Sequence, residues 1–136
     1  RKKDIIVNAG GDNISPSRIE AKLDIEPEIA QSMLYGDFKN YLVAILVPNK
    51  DIALEWAKDN NVEGDLNTII QDSAFNKKMK DVVDNVNKSL SNIEQIRKLI
   101  LIDHEFTIEN NMMTPSMKVR RFKVKEMYGE NLEKLY

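Results

Sequence analysis

Two short stretches at opposite ends of the 136-residue chain hold the residue types from which a site could be built. Toward the carboxy terminus, Met113-Thr114-Pro115-Ser116-Met117-Lys118-Val119-Arg120-Arg121 is a polar loop that runs into a basic stretch, five of the eight residues from Lys118 to Lys125 being Lys or Arg. A lysine ammonium is a compact point charge on a flexible stem, cationic at neutral pH because its unperturbed pKa is ~10.4. In a loop stiffened by a proline three residues upstream, it could serve as a placed point charge. The plain alternatives are solvent for any one lysine and a solvated helix face for the run; a nucleic-acid patch is the sharper reading of the same charges. Toward the amino terminus, Asn8-Ala9-Gly10-Gly11-Asp12-Asn13 sets two glycines among turn-forming residues. Spacing alone makes this an ordinary hairpin turn. It lacks the Gly-Lys-Ser/Thr ending of a P-loop and is not a GxGxxG.

Other chemistry-bearing residues are weaker. His104, the one histidine, lies between Asp103 and Glu105 after a strand pattern and reads as a surface loop residue rather than a metal ligand. Met112, Met113 and Met117 crowd the lysine loop and read as adaptable packing. With no cysteine, disulfides, thiolate nucleophiles, iron–sulfur clusters and Cys-based zinc sites are excluded.

The elements that must position these residues can be read from periodicity. Ile5-Ile6-Val7, the glycine turn and Ile14 predict a small hairpin. Ser15-Pro16-Ser17 opens a short helix, with Ser15 as cap, Pro16 at the first helical position and Ser17 with Glu20 as a competing capping-box register; Ile19 and Leu23 share its buried face, and it ends before Pro27. Ile29 to Tyr35 and Tyr41 to Val47 predict two strands. The second is apolar throughout, so both of its faces should be covered. From Lys50 to about Ile93 the pattern is helical, with Trp56 on one amphipathic face and Phe75, Met79, Val82, Val83, Val86, Leu90 and Ile93 as a sustained stripe. Leu99 to Ile102 predicts a further buried strand, Phe106 and Ile108 alternate with polar residues before a turn at Asn110-Asn111, and Val124, Met127 and Tyr128 predict a last helix, with a closing turn or helix beyond Gly129. The expected class is α+β: a small mixed sheet flanked by helices, with a separate N-terminal β-hairpin.

Composition is that of one ordinary domain spanning 1–136, 42% hydrophobic and 31% charged. Twenty Lys+Arg against twenty-two Asp+Glu give a formal charge of −2, which excludes a generally basic chain of the kind that coats nucleic acid. No apolar run reaches the ~18–20 residues of a membrane span. The chain opens with Arg1 and passes at once into a strand pattern rather than a signal-peptide core, which favours a piece of a longer protein.

Together the two ends resemble the carboxy-terminal domain of the AMP-forming acyl-CoA synthetases, in the adenylate-forming superfamily that also contains luciferases and nonribosomal adenylation domains. Arg1, Lys3, Asp4, Gly11, Ile14, Pro16, Ile19 and Glu20 match that superfamily's hinge motif and the glycine turn and helix start that follow it. Thr114-Pro115-Ser116-Met117-Lys118 matches its catalytic-lysine motif. Most members carry glycine where this chain has Met117, and the wording found here is typical of the long-chain fatty acid–CoA ligase branch, which Tyr41-Leu42-Val43-Ala44-Ile45-Leu46-Val47-Pro48 and the long helical stretch also suit.

The resemblance implies a function and a set of roles. The chain would be the mobile carboxy-terminal lid of a larger enzyme that forms an acyl-adenylate from a fatty acid and ATP, then a thioester with CoA. Lys118 would be the catalytic lysine of the first step, Arg1 would lie near the nucleotide ribose, and Lys3 would be the hinge. After rotation the hairpin at Gly10 and Gly11 would line the CoA channel, glycine letting backbone approach a ligand closely. Val7 stands where some relatives carry a lysine used in thioester formation, so that role is not expected here. Glu20 is expected to support the helix start and local packing. No metal site is expected in this chain; ATP, CoA and Mg²⁺ would serve the full-length enzyme, with none bound to the fragment alone, which should be inactive. The expected partners are the enzyme's own N-terminal adenylation domain and its substrates, not nucleic acid, and the expected location is cytoplasmic, with peripheral membrane association open to the full-length protein. Two alternatives remain: the lid of another adenylate-forming enzyme, such as an aryl-CoA ligase or adenylation domain, or a non-enzymatic binding module using the basic stretch 118–125.

Overall fold

Leu42–Pro48, the unbroken apolar run, forms the middle strand of the main sheet, β4, and each of its residues is buried. A strand points successive side chains to opposite faces, so an all-apolar strand needs cover on both. Leu42, Ala44 and Leu46 enter one hydrophobic core, and Val43, Ile45 and Val47 enter a second on the other face. β3 (Ile29–Tyr35) pairs with β4 antiparallel and β5 (Ile96–Leu101) pairs with it parallel, in the order β3-β4-β5. The computed structural model describes residues 5–136. A two-stranded antiparallel hairpin, β1 (Ile6–Val7) with β2 (Asn13–Ile14), forms a separate sheet, so the chain is α+β as its sequence predicts.

Four helices supply the first core. Helix α1 (Pro16–Asp24) contributes Ile19 and Leu23, α2 (Lys50–Asp59) Ala53 and Ala57, α3 (Leu66–Ile69) Leu66 and Ile69, and α4 (Ser73–Asn87) Phe75, Met79, Val83 and Val86. Their starts follow local chemistry. Pro16 occupies the first turn of α1, and Asn49, Asp65 and Asp72 each cap their helix by accepting a backbone N–H, from Ile52, Thr68 and Phe75. The Trp56 ring packs 5.1 Å from Phe75, joining α2 to α4. The second core is closed by α5 (Arg121–Glu133), through Val124 and Leu132, and by Ile102, Phe106, Met112 and Met113 of the segment before it.

Several expectations are corrected. The helical stretch from Lys50 to Ile93 is three helices and a 3₁₀ turn at Asn92–Glu94, and Ile93 is 41% exposed rather than part of the stripe. The interior strand begins at Leu42 and includes Pro48, and the last strand is Ile96–Leu101 rather than 99–102. Phe106 and Ile108 form no strand. The Thr107 and Asn110 side chains each accept the other's backbone N–H at 3.0 Å and fold the segment into a turn, leaving Ile108 exposed. Helix α5 runs through Gly129 without a break. Among the described residues, no helix is long and apolar enough to cross a membrane.

Candidate functional site

The lysine loop is a tight hairpin set on the second core. Met113 and Val119 pair as an antiparallel bridge at its base. Above them the Thr114 N–H donates to the Lys118 carbonyl at 2.8 Å, the Lys118 N–H donates to Thr114 Oγ1 at 3.1 Å, and the Met117 N–H donates to the Thr114 carbonyl at 2.8 Å. Thr114 to Met117 is thus a β-turn with Pro115 at its second position, where proline's fixed φ suits it. Met117 follows at φ +67, the left-handed position that closes such a three-residue hairpin loop and that glycine usually fills. That geometry is the physical reason for a glycine at this place, and here methionine carries the strain. The Met117 side chain is 67% exposed, which corrects its expected packing role; Met112 and Met113 are buried as expected.

Lys118 therefore leaves a fixed backbone and points into solvent. It is exposed and lies in the loop that precedes α5, as the sequence predicts, and its ammonium has no ion pair or hydrogen bond among the described residues. The downstream side is pinned as well. The Arg120 N–H donates to the Met112 carbonyl at 2.7 Å, and Arg121, the first residue of α5, makes a bidentate pair with Glu20 of α1 at 2.6 and 2.7 Å. Glu20 also accepts the Leu34 N–H of β3 at 2.7 Å. It does not cap α1; it joins α1, β3 and α5. Sequence reasoning missed this pair, because 101 residues separate its members and no local pattern links them.

The glycine turn is built mainly by its own polar neighbours. The Asn8 N–H donates to the Asp12 carbonyl at 3.1 Å, and Asn8 Oδ1 accepts the Asp12 N–H at 2.9 Å. Gly11 sits at φ +86 and needs glycine for that reason, whereas a Cβ on Gly10 would meet only Asn8 Oδ1 at 3.6 Å and Asp12 Oδ2 at 3.7 Å. Neither backbone nor neighbours require a glycine at position 10. The hairpin leans on the β3–β4 loop: the Ala9 N–H donates to the Lys39 carbonyl at 2.9 Å and the Phe38 N–H to the Val7 carbonyl at 2.7 Å. Asp37 of that loop pairs with Lys125 of α5 at 3.3 Å. A cleft lies between the hairpin base and α5, lined by Ile5, Leu34, Arg121, Phe122 and Lys125 among others. Helix α5 thus braces both elements, although among the described residues no hydrogen bond or ion pair joins the lysine loop directly to the glycine turn. Arg1 and Lys3, assigned to the nucleotide and the hinge, lie outside the described residues.

His104 has a structural setting that its sequence position did not disclose. Its Nδ1 lies 2.8 Å from Asp103 Oδ1 and its Nε2 lies 2.6 Å from the Tyr128 hydroxyl, while Asn67 donates to Asp103 Oδ2 at 2.8 Å. These bonds, from Asn67 first and His104 second, hold the Asp103 carboxyl below its ordinary range. Burial and then the Asp103 charge push the Tyr128 hydroxyl up. The chain of contacts ties the end of β5 to α3 and α5. Among the described residues no three His, Asp or Glu side chains converge to hold a metal ion.

Comparison with known proteins identifies the family of the chain. A family model described as "AMP-binding enzyme C-terminal domain" matches residues 3–136. A long-chain-fatty-acid–CoA ligase of Mycobacterium tuberculosis is 33% identical over 141 residues, covering 100% of this chain and 23% of the ligase. Fatty acyl-CoA synthetase B of Dictyostelium discoideum is 30% identical over 139 residues, covering 100% of this chain and 21% of the synthetase. The adenylation domain of a carboxylate reductase from Mycobacterium chelonae superposes with a TM-score of 0.81 at 30% identity, covering 97% of this chain and 19% of that one. The chain spans less than a quarter of the length of each of these proteins.

Proposed function

Because the chain belongs to the AMP-binding enzyme C-terminal domain family, we propose that it is the mobile lid of an AMP-forming long-chain fatty acid–CoA ligase, with Lys118 as its catalytic lysine. One observation carries this reading: Lys118 extends unpaired from a loop whose backbone is hydrogen-bonded on both sides. Exposed lysines without a partner occur elsewhere among the described residues, Lys58 and Lys98 among them, and the hydrogen-bonded root is what sets Lys118 apart. A lysine kept free on a rigid root suits a partner that arrives from outside the chain.

In the first half-reaction a carboxylate oxygen attacks the α-phosphorus of ATP, and the bond to pyrophosphate breaks with its electrons leaving on pyrophosphate. Negative charge gathers where an anion meets a polyanion, and a preorganised cation lowers that barrier. Lys118 supplies the cation, with Arg1 near the ribose. In the second half the CoA sulfur attacks the acyl carbonyl and AMP leaves. The lid turns about Lys3 between the halves, so that Lys118 withdraws and the Gly10-Gly11 hairpin lines the CoA arm. The glycine at position 10, which the chain's own geometry does not require, suits close approach of such a ligand. Mg²⁺ would accompany ATP, and the described residues supply no ligand set for it. The remainder of the enzyme, an N-terminal adenylation domain, holds the acyl pocket, and the isolated chain is expected to be inactive. The reading places the whole protein in the cytoplasm, with peripheral membrane association open to it.

The likeness to the carboxylate reductase adenylation domain supports a second reading, in which the same lid activates a carboxylate for a fate other than CoA. Pyrophosphate exchange by the full-length protein with a panel of carboxylates, followed by assay of thioester with CoA, separates the two. Exchange and CoA thioester with long-chain acids support the ligase; exchange without CoA thioester supports the second reading; no exchange with any carboxylate overturns both.

A further inference from the structure

We propose that Glu20 and Arg121 form a positioning pair that sets the root of Lys118 for adenylate formation, an inference that rests on the reading of Lys118 given above. Arg121 follows Lys118 by three residues and opens α5, the helix that the lysine loop leads into. Its two terminal nitrogens meet the two carboxylate oxygens of Glu20 at 2.6 and 2.7 Å, and Glu20 is held in turn by the backbone N–H of Leu34 at 2.7 Å. The side chains are only 16% and 11% exposed.

A buried ion pair is weak evidence for stability, because desolvating both charges offsets most of their attraction. What a bidentate pair does provide is direction, since the planar guanidinium fork and the carboxylate lock in one relative orientation. The direction fixed here is that of the α5 start against the floor made by α1 and β3. Across its base, the loop is tied by the Met113–Val119 bridge and by Arg120 to Met112. The Lys118 backbone is therefore held between two anchors, and Arg121 is the one that refers it to the body of the domain. A long flexible lysine delivers its charge to one point only if its root does not wander, and displacements of an ångström are costly at a reacting phosphorus.

The test is a double-mutant cycle in the full-length protein, with adenylate formation followed in single turnovers and thermal melting recorded for each variant. Arg121→Lys keeps the charge and loses the fork. It is expected to lower the adenylation rate on the order of 10–100-fold with KM for ATP unchanged, and to add no further loss once Lys118→Ala is present, because it acts through that lysine. Glu20→Gln, which keeps the shape and weakens the pair, should show the same pattern with a smaller loss, and so guards against misfolding of one variant. An equal loss from Arg121→Lys in both backgrounds, or no loss in the wild-type background, overturns the positioning role while leaving Lys118 as assigned. Full adenylation by Lys118→Ala itself would instead remove the functional reading on which the inference stands.

Discussion

Thr114 and Lys118 hold each other across the tip of a hairpin: the Thr114 N–H donates to the Lys118 carbonyl at 2.8 Å, and the Lys118 N–H donates to Thr114 Oγ1 at 3.1 Å. The reciprocal bonds fix the lysine's backbone while consuming none of its side chain's hydrogen-bonding capacity. They go with a left-handed last residue of the turn, Met117, at φ +67. A non-glycine residue there costs roughly 1–2 kcal/mol, part of which glycine gives back through its greater freedom in the unfolded chain.

Met117→Gly is accordingly expected to stabilise the chain by about 0.5–1 kcal/mol, and Met117→Val to destabilise it by ~1–2 kcal/mol, because a β-branched side chain fits the left-handed region worst. Urea unfolding of the 136-residue chain measures both. The reverse order would mean that the loop does not hold this conformation in solution.

The two glycines of the front hairpin should behave differently. Gly11→Ala places a Cβ on a residue at φ +86 and is expected to cost about 1–2 kcal/mol of stability, whereas Gly10→Ala meets nothing closer than 3.6 Å and should stay within ~0.5 kcal/mol. In the full-length protein Gly10→Ala should nevertheless slow thioester formation from acyl-adenylate and CoA. A Gly10→Ala protein that melts normally and makes thioester at the wild-type rate would remove the hairpin from the CoA channel.

Acid should weaken the fold through carboxylates that the native state favours in ionised form. Arg18, with smaller help from Ser91, holds the Glu94 carboxyl below its ordinary value of 4.5. Lys39, then Tyr35, does the same for Glu133, and Asn67, then His104, for Asp103. A depressed folded-state pKa gives stability that is fully present above the unfolded value and is lost as pH falls through the folded one. Glu94→Gln should thus be less stable than wild type at pH 7, with the difference shrinking toward pH 3. Asp24 has the opposite sign, since burial raises its carboxyl, and it limits the net effect. Urea melts at pH 7, 4 and 3 check this; a Glu94→Gln deficit that is as large at pH 3 as at pH 7 would contradict it.

The sheet was legible where side-chain period and length agreed. Ile29–Tyr35 is the strand its composition predicts, and the apolar run of β4 announced two covered faces. The helices after β4 were legible as a stripe but not as separate pieces, because a 3.6-residue period does not register the left-handed Asn61 or the Asp65 and Asp72 caps that restart the chain. Alternation misled at Phe106 and Ile108, where short polar side chains captured the backbone first. Phe106 is instead docked by Gln31, whose amide accepts its N–H at 2.7 Å and donates to its carbonyl at 3.0 Å. The lysine loop was readable because its residues are consecutive. Its anchor to Glu20 was not, because that contact exists only once α1, β3 and α5 have packed.

The central claim is that Lys118 supplies charge to one half-reaction and not to the other. The direct measurement is Lys118→Ala in the full-length protein, with adenylate formation from fatty acid and ATP and thioester formation from synthetic acyl-adenylate and CoA timed separately. Loss of one preorganised electrostatic contact is expected to slow adenylation about 10²–10³-fold, or roughly 3–4 kcal/mol of barrier, while thioester formation stays near the wild-type rate. Equal loss of both halves, or normal adenylation, would contradict the account.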